Sequence, residues 1–499
     1  MAWKPATFAI VCGLVGGLAP AAAAAPSLTF VPGSTVKLYQ VNGDCDWEAW
    51  DASINQSPPT CVRTASQTAT RADVLGDDVP VVFEHRGEML ITFGDTFGAD
   101  STRYPEWVSF ENTFQWAAHD PIARSTSTDP GAPLQLDFFL DGNHALEVLP
   151  KTSGGVAVPM GADDVPSAGV DIGGQAYLAV TTGTVSSGGQ HDHSGDYAQL
   201  VLFDEANASF TAGRVLSPAG GHFVRPIFRL DPAPASAPGT QSVWIFGIPS
   251  GGTGIYLSRI PAEDFWTGTL PAGGPGQTQY FSGLQNGAPS WQPTDSATLP
   301  PIVSAADPSN PDIRYASVTY VEGLKLWVMI FDNTGKTNPN SGMYLTYAAQ
   351  PWGPWSQPQL IFNACRDNGY GRFMFYYYAT AKDNDCPAAA PGAPRRTGSS
   401  GPAGPTAGDQ AKNIATTTRG IAYGPAIVDR FTTIQGRTLK LYFMLSTWNP
   451  YAVVMMQSAF QIGCPVGGGS CSTPRPAPPP PVRRAPRPRA RALRAGMVE

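Results

Sequence analysis

The stretch LWVMIF at residues 326–331 is apolar at all six positions. A short run of this kind is typical of a strand that is buried on both faces, as in a stacked blade or a β-sandwich. Similar runs rich in Trp, Tyr and Phe recur along the chain, at residues 89–95, 176–180, 243–247 and 441–445. This recurrence predicts five similar structural units.

Each unit contains more than its central run. A second run follows at residues 114–117, 197–203, 255–258, 343–346 and 453–456, and another apolar run comes first, at residues 79–83, 165–170, 223–228, 316–320 and 425–428. We therefore expect three strands in every unit. The central residues are 87, 67, 83 and 115 residues apart, counted from Leu90, Tyr177, Trp244, Trp327 and Tyr442. This uneven spacing predicts long insertions, including a Pro/Ala/Gly-rich loop at residues 387–407.

Five such units without a helical period favour an all-β fold, a five-bladed β-propeller with long inter-blade insertions, because radial repetition leaves only short sheet edges. The alternative is a pair of β-sandwich domains. The composition agrees with a β-rich globular chain, since 54 Gly and 49 Pro disfavour a mainly helical protein. The 12 Trp, 17 Tyr and 23 Phe provide apolar surface for a sizeable core.

Residues 1–25 have the layout of a cleavable secretory signal. They carry Lys4, an apolar run at residues 8–18 and a small-residue stretch at residues 21–25. The sequence therefore predicts a secreted, extracellular protein. No other segment of 18 apolar residues follows, so no membrane span is predicted.

Removal of the signal takes away Cys12 and leaves six cysteines. Export makes disulfides plausible, and the spacings do not match a structural zinc site. Six cysteines allow 15 connectivities. Sequence proximity favours three pairs: Cys45 with Cys61, Cys365 with Cys386, and Cys464 with Cys471.

Charge divides the chain into a propeller domain at residues 26–471 and a tail at residues 472–499. The tail holds seven Arg and one Glu, net +6, among Pro and Ala, and its composition predicts a disordered segment. The propeller domain holds 24 Lys and Arg against 38 Asp and Glu, net −14. A body of this charge repels polyanions, so nucleic acid is excluded as a partner and a neutral polymer is favoured.

The tetrapeptide DDVP occurs at residues 77–80 and again at residues 163–166, each time just ahead of an apolar strand. In a propeller the first strand of each blade lines the central channel, so equivalent positions in neighbouring blades face one another. The pairs Asp77/Asp78 and Asp163/Asp164 are therefore predicted to converge at the axis. Asp95 ends the next strand of the first unit, directly after Gly94.

Converging carboxylates are what glycoside hydrolysis requires: one protonated acid for the leaving oxygen and one ionised group that acts on the anomeric carbon directly or through water. Crowding of like charges separates their pKa values. We predict Asp78 and Asp95 as the catalytic pair, Asp164 as a neighbour that tunes their pKa values, and Asp77 and Asp163 as substrate contacts. The alternative is that these aspartates only form turns and end strands.

Other candidates lie near the starts of the inner strands and could bind substrate. These are His222, Arg225 and Tyr423, of which Arg225 could bind a sugar hydroxyl or orient a carboxylate. Trp448 and the tyrosines at residues 376–378 could offer flat faces to a sugar ring. The alternative for each is a structural role in the hydrogen-bonding network or the core.

The chain offers little for other chemistries. His191 and His193 could ligate a metal, but they lie in a Gly/Ser-rich segment that is better interpreted as an exposed loop. We find no nucleophile elbow, phosphate-binding loop, zincin motif or dinucleotide fingerprint. The sequence therefore predicts neither a metal site nor a cofactor.

Several stretches together resemble one protein family. They are Gly76-Asp77-Asp78 with Glu84-His85 and GDTF at residues 94–97, PWGPWS at residues 351–356, and Tyr423-Gly424-Pro425 with STWNP at residues 446–450. The chain resembles secreted bacterial proteins of the domain-of-unknown-function 4185 group, part of which is classed as glycoside hydrolase family 183. The resemblance spans about residues 73 to 460.

The resemblance implies a five-bladed propeller and, for characterised members, endo-acting hydrolysis of D-arabinan, the furanose polymer of mycobacterial cell walls. Family members use two aspartates of the first blade, one in a Gly-Thr-Asp-Leu-Gly-like element and one in Gly-Asp-Thr. These positions fall on Asp78 and Asp95 here. Asp77 replaces the Thr, and Val79-Pro80 replace Leu-Gly. This departure leaves open whether Asp77 or Asp78 is aligned and whether D-arabinan is the substrate.

We therefore expect a monomeric glycoside hydrolase that acts on a polysaccharide. Two other functions stay open: a catalytically silent carbohydrate-binding propeller, and a related glycosidase acting on L-arabinan or xylan. The separation of the carboxylates distinguishes retention from inversion, and closure of one end of the channel distinguishes endo from exo action. Both are properties of the folded molecule.

Overall fold

The computed structural model describes the blades and the segments next to them. The described residues are 25–46, 62–98, 109–110, 114–115, 120–158, 165–183, 195–232, 241–267, 277–304, 313–333, 341–367, 369, 373–374, 421–448 and 451–463. They contain thirty strands and one α-helix. The predicted tail and all but the last residue of the predicted signal lie outside this set.

The N-terminal part contains four strands and the helix. They are β1 (Ser27–Phe30), β2 (Val36–Gln40), β3 (Cys45–Asp46), β4 (Val62–Arg63) and α1 (Thr68–Ala72). β3 and β4 form a separate two-stranded sheet, whereas β1 and β2 both pair with the last strand of the chain. The N-terminal segment thus completes the last blade.

The first two blades follow in the chain. Blade 1 and its two short hairpins comprise β5 (Gly76–His85), β6 (Glu88–Phe97), β7 (Ser109–Phe110), β8 (Phe114–Gln115), β9 (Ile122–Ser125), β10 (Asp137–Phe138), β11 (Leu140–Asp141) and β12 (His144–Ala145). Blade 2 comprises β13 (Val165–Ile172), β14 (Gln175–Thr182), β15 (Tyr197–Asp204) and β16 (Ser209–Ser217). The strand order is β5-β6-β9-β10 in blade 1 and β13-β14-β15-β16 in blade 2.

The remaining three blades repeat this plan. Blade 3 has β17 (Arg225–Leu230), β18 (Ser242–Ile248), β19 (Gly254–Pro261), β20 (Gln279–Gln285), β21 (Ala288–Gln292) and the short β22 (Val303–Ser304). Blade 4 has β23 (Ala316–Val321), β24 (Leu326–Asn333), β25 (Gly342–Ala348) and β26 (Gln359–Phe362). Blade 5 has β27 (Ile421–Ile427), β28 (Thr433–Gln435), β29 (Thr438–Trp448) and β30 (Ala452–Gly463). Short 3₁₀ turns occur at Ala262–Asp264 and Asp429–Phe431.

The five sheets close into a ring. Each first strand contacts the next, in the order β5, β13, β17, β23 and β27, and β27 contacts β5. One channel is lined by residues from all five of these strands. The predicted five-bladed β-propeller is therefore confirmed, and the β-sandwich alternative is wrong.

Continuous apolar strands are explained by burial on both faces. Every residue of β24 is buried. Val328 and Ile330 pack into a cluster shared with blade 5, while Met329 and Phe331 pack into a cluster shared with blade 3. Five such clusters fill the five spaces between blades. Because side chains alternate across a strand, both positions of the alternation must be apolar.

The propeller requires close approach of neighbouring blades at their inner strands. Gly169 of β13 shows this directly, because a Cβ there would lie 2.2 Å from Cδ1 of Phe83 in β5. Only a residue without a side chain allows that packing.

One strand prediction in the first unit is wrong. Phe114–Gln115 forms β8, but β8 pairs with β7, and the third strand of blade 1 is β9. Ile122 and Ala123 of β9 are fully buried between blades. A four-residue strand with two polar positions carries less apolar signal than the aromatic residues of the insertion before it, so the sequence pattern favoured the wrong segment.

Two of the cysteines that were predicted to form disulfides lie among the described residues. Cys45 and Cys365 are each in a disulfide bond. Their predicted partners, Cys61 and Cys386, lie outside the described residues, so the pairing stays a prediction. Among the helices that the structure describes, none has the length and apolar character needed to cross a membrane.

The apolar filling between blades should dominate stability. Phe246 is fully buried between blades 3 and 4, with its ring centroid 5.9 Å from that of Trp327. We expect Phe246→Ala to lower the free energy of unfolding by about 3–5 kcal/mol in urea titrations, because it leaves a cavity.

The matched control is Leu284→Ala, since Leu284 is 51% exposed. This change should shift the free energy by no more than about 0.5 kcal/mol. Equal effects of the two substitutions would contradict the assigned inter-blade core.

Candidate active site

The inner strands bring their first residues to one mouth of the channel. Pro80, Ile227, Ala316 and Pro425 line the channel. The residues one or two positions before them are Asp78, Arg225, Tyr315 and Tyr423. Because each inner strand is the first strand of its blade, these four side chains belong to the same end of the ring.

Asp78 lies at a distortion of β5. The register between β5 and β6 shifts on both sides of Asp78, whose backbone is paired with Gly94. Val79 has a φ of 40°, an unusual conformation for a β-branched residue. Such bulges redirect side chains, and strained residues cluster at functional sites. The bulge thus sets the direction of the Asp78 carboxylate.

Gly94 makes room for that carboxylate. A Cβ at residue 94 would lie 2.9 Å from Oδ1 of Asp78 and 2.6 Å from Cγ1 of Val165 in blade 2. Any side chain at this position would therefore displace either the carboxylate or the neighbouring blade. The absence of a side chain at Gly94 thus allows the Asp78 carboxylate and blade 2 to approach β6 closely.

Two tyrosines of blade 5 hold Asp78. Tyr423 donates its hydroxyl hydrogen to Oδ2 of Asp78 at 2.5 Å. The Tyr451 hydroxyl donates to the backbone carbonyl of Asp95 at 2.7 Å and also interacts with the Asp78 carboxylate. Tyr451 therefore connects the segments that carry the two predicted catalytic aspartates.

Asp95 shares the electrostatic environment of Asp78. Burial raises the pKa of the Tyr315, Tyr423 and Tyr451 hydroxyls, and the charges of Asp78 and Asp95 raise each of them further. The charges of both carboxylates therefore act on the same three phenols, which stay protonated at neutral pH. Asp95 is half-buried, whereas only 5% of Asp78 is exposed.

Asp77 points to a different neighbour. It is completely buried, and its Oδ1 accepts a hydrogen bond from Nδ2 of Asn42 at 2.7 Å. Burial, and then the charge of Asp78, raise the pKa of the Asp77 carboxyl well above its usual range, and the Asn42 hydrogen bond opposes this only in part. Asp77 therefore favours its neutral form inside the protein.

Arg225 extends the site toward blades 2 and 3. Its guanidinium lies 5.8 Å from the ring centroid of Tyr315, and its Nη2 is 3.6 Å from Oδ2 of Asp196. The Tyr315 ring in turn is 6.2 Å from that of Tyr423. Arg225 is thus connected to Asp78 through the rings of Tyr315 and Tyr423.

Asp332 was missed by sequence reasoning. It is completely buried near the end of β24, and its charge is one of those that raise the pKa of Tyr315. Asp332 follows an apolar run with no glycine before it and no repeated motif beside it, so its local sequence did not mark it for the site. Tyr315, Tyr451 and Asn42 were also missed, since nothing in their local sequence distinguishes them.

The other predicted residues are placed differently. His222 is bonded through its backbone amide and Nδ1 to Asp295, and its ring lies 4.0 Å from that of Tyr256. These contacts belong to blade 3. Trp448 meets the Tyr451 ring edge-on, with centroids 5.7 Å apart, at the border of the site.

Several predicted residues cannot be placed. Asp163, Asp164, His191, His193 and residues 376–378 lie outside the described residues. Within the part of the chain that is described, no group of three or more His, Cys, Asp and Glu is arranged to hold a metal ion.

Fold and site together define a five-bladed β-propeller with a cluster of aspartates and tyrosines at one mouth of its channel. The family model for a domain of unknown function, DUF4185, matches residues 63–457. The chain belongs to the DUF4185 family. No curated protein matches this chain.

Solved structures show weak likenesses. An exo-beta-1,3-galactanase from Phanerochaete chrysosporium is 8% identical with a TM-score of 0.39, and the match covers 85% of this chain and 64% of that one. This chain thus spans less than two thirds of the galactanase. The catalytic domain of a GH62 alpha-L-arabinofuranosidase from Coprinopsis cinerea is 11% identical with a TM-score of 0.38, and the match covers 86% of this chain and 98% of that one. A thermostable family-43 glycoside hydrolase is 10% identical with a TM-score of 0.37, and the match covers 81% of this chain and 97% of that one.

The raised pKa of Asp77 has a consequence for stability. Between the ordinary carboxyl pKa and the raised one, the folded protein binds more protons than the unfolded chain, so stability falls as pH rises through that window. We expect Asp77→Asn, which removes this titration, to raise the melting temperature relative to wild type by an amount that grows with pH. Thermal unfolding from about pH 4 to pH 8 measures the difference.

Glu263→Gln is the control, because Glu263 is exposed. Its difference from wild type should stay constant over the same range. A pH-independent difference for Asp77→Asn would contradict a neutral Asp77 in the folded protein.

Proposed function

We propose that this protein is a glycoside hydrolase that cleaves furanosidic linkages in a polysaccharide with Asp78 and Asp95. The observation that supports the proposal is that two tyrosines of blade 5 bind this part of blade 1: Tyr423 donates to the Asp78 carboxylate, and Tyr451 donates to the Asp95 carbonyl and interacts with Asp78. Glycoside hydrolysis needs two carboxyl groups in one site, one as acid and one ionised.

Asp78, rather than Asp77, is the proposed partner of Asp95. Asp77 is completely buried and turned to Asn42, so it has no path to a substrate. Asp78 is bound by Tyr423 at the site. Of the pair, one carboxyl protonates the glycosidic oxygen, and the other acts on the anomeric carbon directly or through a water molecule. We retain Asp164 as a proposed pKa-tuning neighbour and Asp163 as a proposed substrate contact.

The surroundings suit a neutral sugar. Tyr315 and Tyr423 are partly exposed, as is Trp448 at the border, and their rings offer flat apolar faces with polar edges. The net charge of −14 over residues 26–471 discourages anionic polymers. We propose that Arg225 and His222 contact the bound polysaccharide at the edge of the site.

D-arabinan is the proposed substrate, cleaved at internal linkages, because this protein resembles members of its family with that activity. L-arabinan and xylan are the related alternatives. We propose an extracellular location, because residues 1–25 have the layout of a secretory signal. We also propose that the protein is a monomer. A panel of these polymers, assayed by release of reducing ends, distinguishes the substrates.

Replacing either carboxylate should abolish turnover and spare binding. We expect Asp95→Asn and Asp78→Asn each to lower kcat by about 10²–10⁴-fold, the contribution typical of an acid or base catalyst. Affinity for the polymer, measured by calorimetry, should change little, because the amide keeps the size of the carboxyl group.

Asp137→Asn is the control, since the Asp137 side chain is 56% exposed. It should retain wild-type kcat. Binding without any wild-type turnover across the panel would instead favour the carbohydrate-binding propeller, and full activity in Asp95→Asn would exclude the proposed pair.

The mode of cleavage has its own test. Incubation of the protein with mycobacterial arabinogalactan, followed by product sizing, should yield intermediate oligosaccharides before small sugars, because an internal cut shortens the polymer early. Release of a single small sugar from the start would contradict endo action.

A further inference from the structure

We propose that Asp332 is a positioning residue for this reaction: its carboxylate holds together the two chain segments that present Tyr315 and Tyr423 to the catalytic pair. The inference rests on the proposed function and deepens it. Asp332 would act through the tyrosines, without touching the sugar.

The contacts of Asp332 join segments from two blades. Its Oδ1 accepts hydrogen bonds from the backbone amides of Arg314 and Tyr315, both at 2.9 Å. Its Oδ2 accepts from the backbone amide of Gly424 at 3.3 Å. The first two amides lead into the inner strand of blade 4, and the third belongs to the inner strand of blade 5. One carboxylate therefore fixes the backbone next to both tyrosines.

Gly424 also packs against the backbone next to Asp78. Gly424 has a φ of 57°, and a Cβ there would lie 3.3 Å from the Cα of Val79 and 3.2 Å from the Ser446 hydroxyl oxygen. The same Ser446 hydroxyl accepts a hydrogen bond from the backbone amide of Val79 at 2.8 Å. The backbone beside Tyr423 is thus packed against the strained residue beside Asp78.

Asp332 consequently bears on both partners of the Tyr423–Asp78 hydrogen bond. Through Gly424 it places the tyrosine, and through the Gly424–Val79 contact it limits the movement of the bulge that directs the carboxylate. A catalytic group held by such a chain of contacts is sensitive to small displacements, since about 1 Å can cost about a hundredfold in rate.

The surroundings of Asp332 differ from those of Asp95. Asp332 and Asp95 both influence Tyr315 electrostatically. Asp95 is half-buried, whereas Asp332 is completely buried and its oxygens face amides. Asp95 is therefore accessible to a substrate, as a proposed catalytic carboxylate must be, whereas Asp332 is placed to support the backbone of the site.

The test is Asp332→Asn, which has nearly the same shape. The asparagine oxygen can still accept the Arg314 and Tyr315 amides, but its amide nitrogen faces the Gly424 N–H and cannot accept from it. We expect kcat to fall about tenfold to a hundredfold with KM little changed, because the polymer still binds while the catalytic carboxylate is misplaced.

A second readout does not depend on turnover. The short Tyr423–Asp78 hydrogen bond should give a downfield phenolic proton signal in one-dimensional NMR, assigned by its disappearance in Tyr423→Phe. We expect this signal to shift or vanish in Asp332→Asn. If wild type cleaves no polymer, the proposed function fails, and the proton signal still decides whether Asp332 positions Tyr423.

Asp44→Asn is the matched control. Asp44 is 3% exposed and also accepts two backbone amides, those of Ala69 and Thr70 at the start of α1. It should lose stability in urea yet keep kcat and the proton signal. If Asp332→Asn behaves in the same way, Asp332 is only structural and the proposal is overturned.

A variant that leaves the carboxylate in place covers the case in which Asp332→Asn does not fold. Gly424→Ala disturbs the same contact from the other side, by pressing a Cβ on Val79 and Ser446. It should reduce kcat and alter the proton signal in the same direction. Wild-type kcat and an unchanged signal in this variant would overturn the proposal.

Discussion

Everything in this molecule depends on the seam at which blade 5 meets blade 1. Tyr423 and Asp78 are 345 residues apart in the chain, yet their side chains are joined by a hydrogen bond. This contact exists only because β27 packs against β5 and thereby closes the ring. The closure is held in turn by β1, whose pairing with β30 ties the N-terminal segment into the last blade. A site of this kind cannot form before the whole ring has formed.

Several polar side chains join blade 5 and the N-terminal segment to blade 1 at this seam. Ser446 binds the Val79 amide, and Asn42 binds both Asp77 and the amide of Val453. Farther from the site mouth, Arg430 of blade 5 binds Glu84 of blade 1. Buried polar groups must find partners, so a seam of this composition tolerates only one arrangement. We interpret this as the reason why the strained backbone at Val79 is maintained.

The strands were predictable because burial on both faces leaves a strong local pattern. Trp327 and Met329 pack into the cluster shared with blade 3, and Val328 packs on the opposite face, so no polar residue interrupts the run. β9 was not predictable, because it is too short and too polar to stand out. Asp78 and Asp95 were found through a repeated tetrapeptide, a strand ending in Gly-Asp and a family resemblance. Tyr451 and Asp332 carry no such local mark, and their roles arise from contacts with distant segments.

The sequence by itself determined the five-unit repeat and the apolar faces of the blades, since these follow from periodicity and composition. Only the tertiary structure decided which of two adjacent aspartates faces the site. Asp77 and Asp78 differ by one position in a strand, and the bulge at Val79 sends one to Asn42 and the other to Tyr423. The direction of a side chain at a bulge depends on the backbone packed against it. Here that backbone is Gly424, which comes from the far end of the chain.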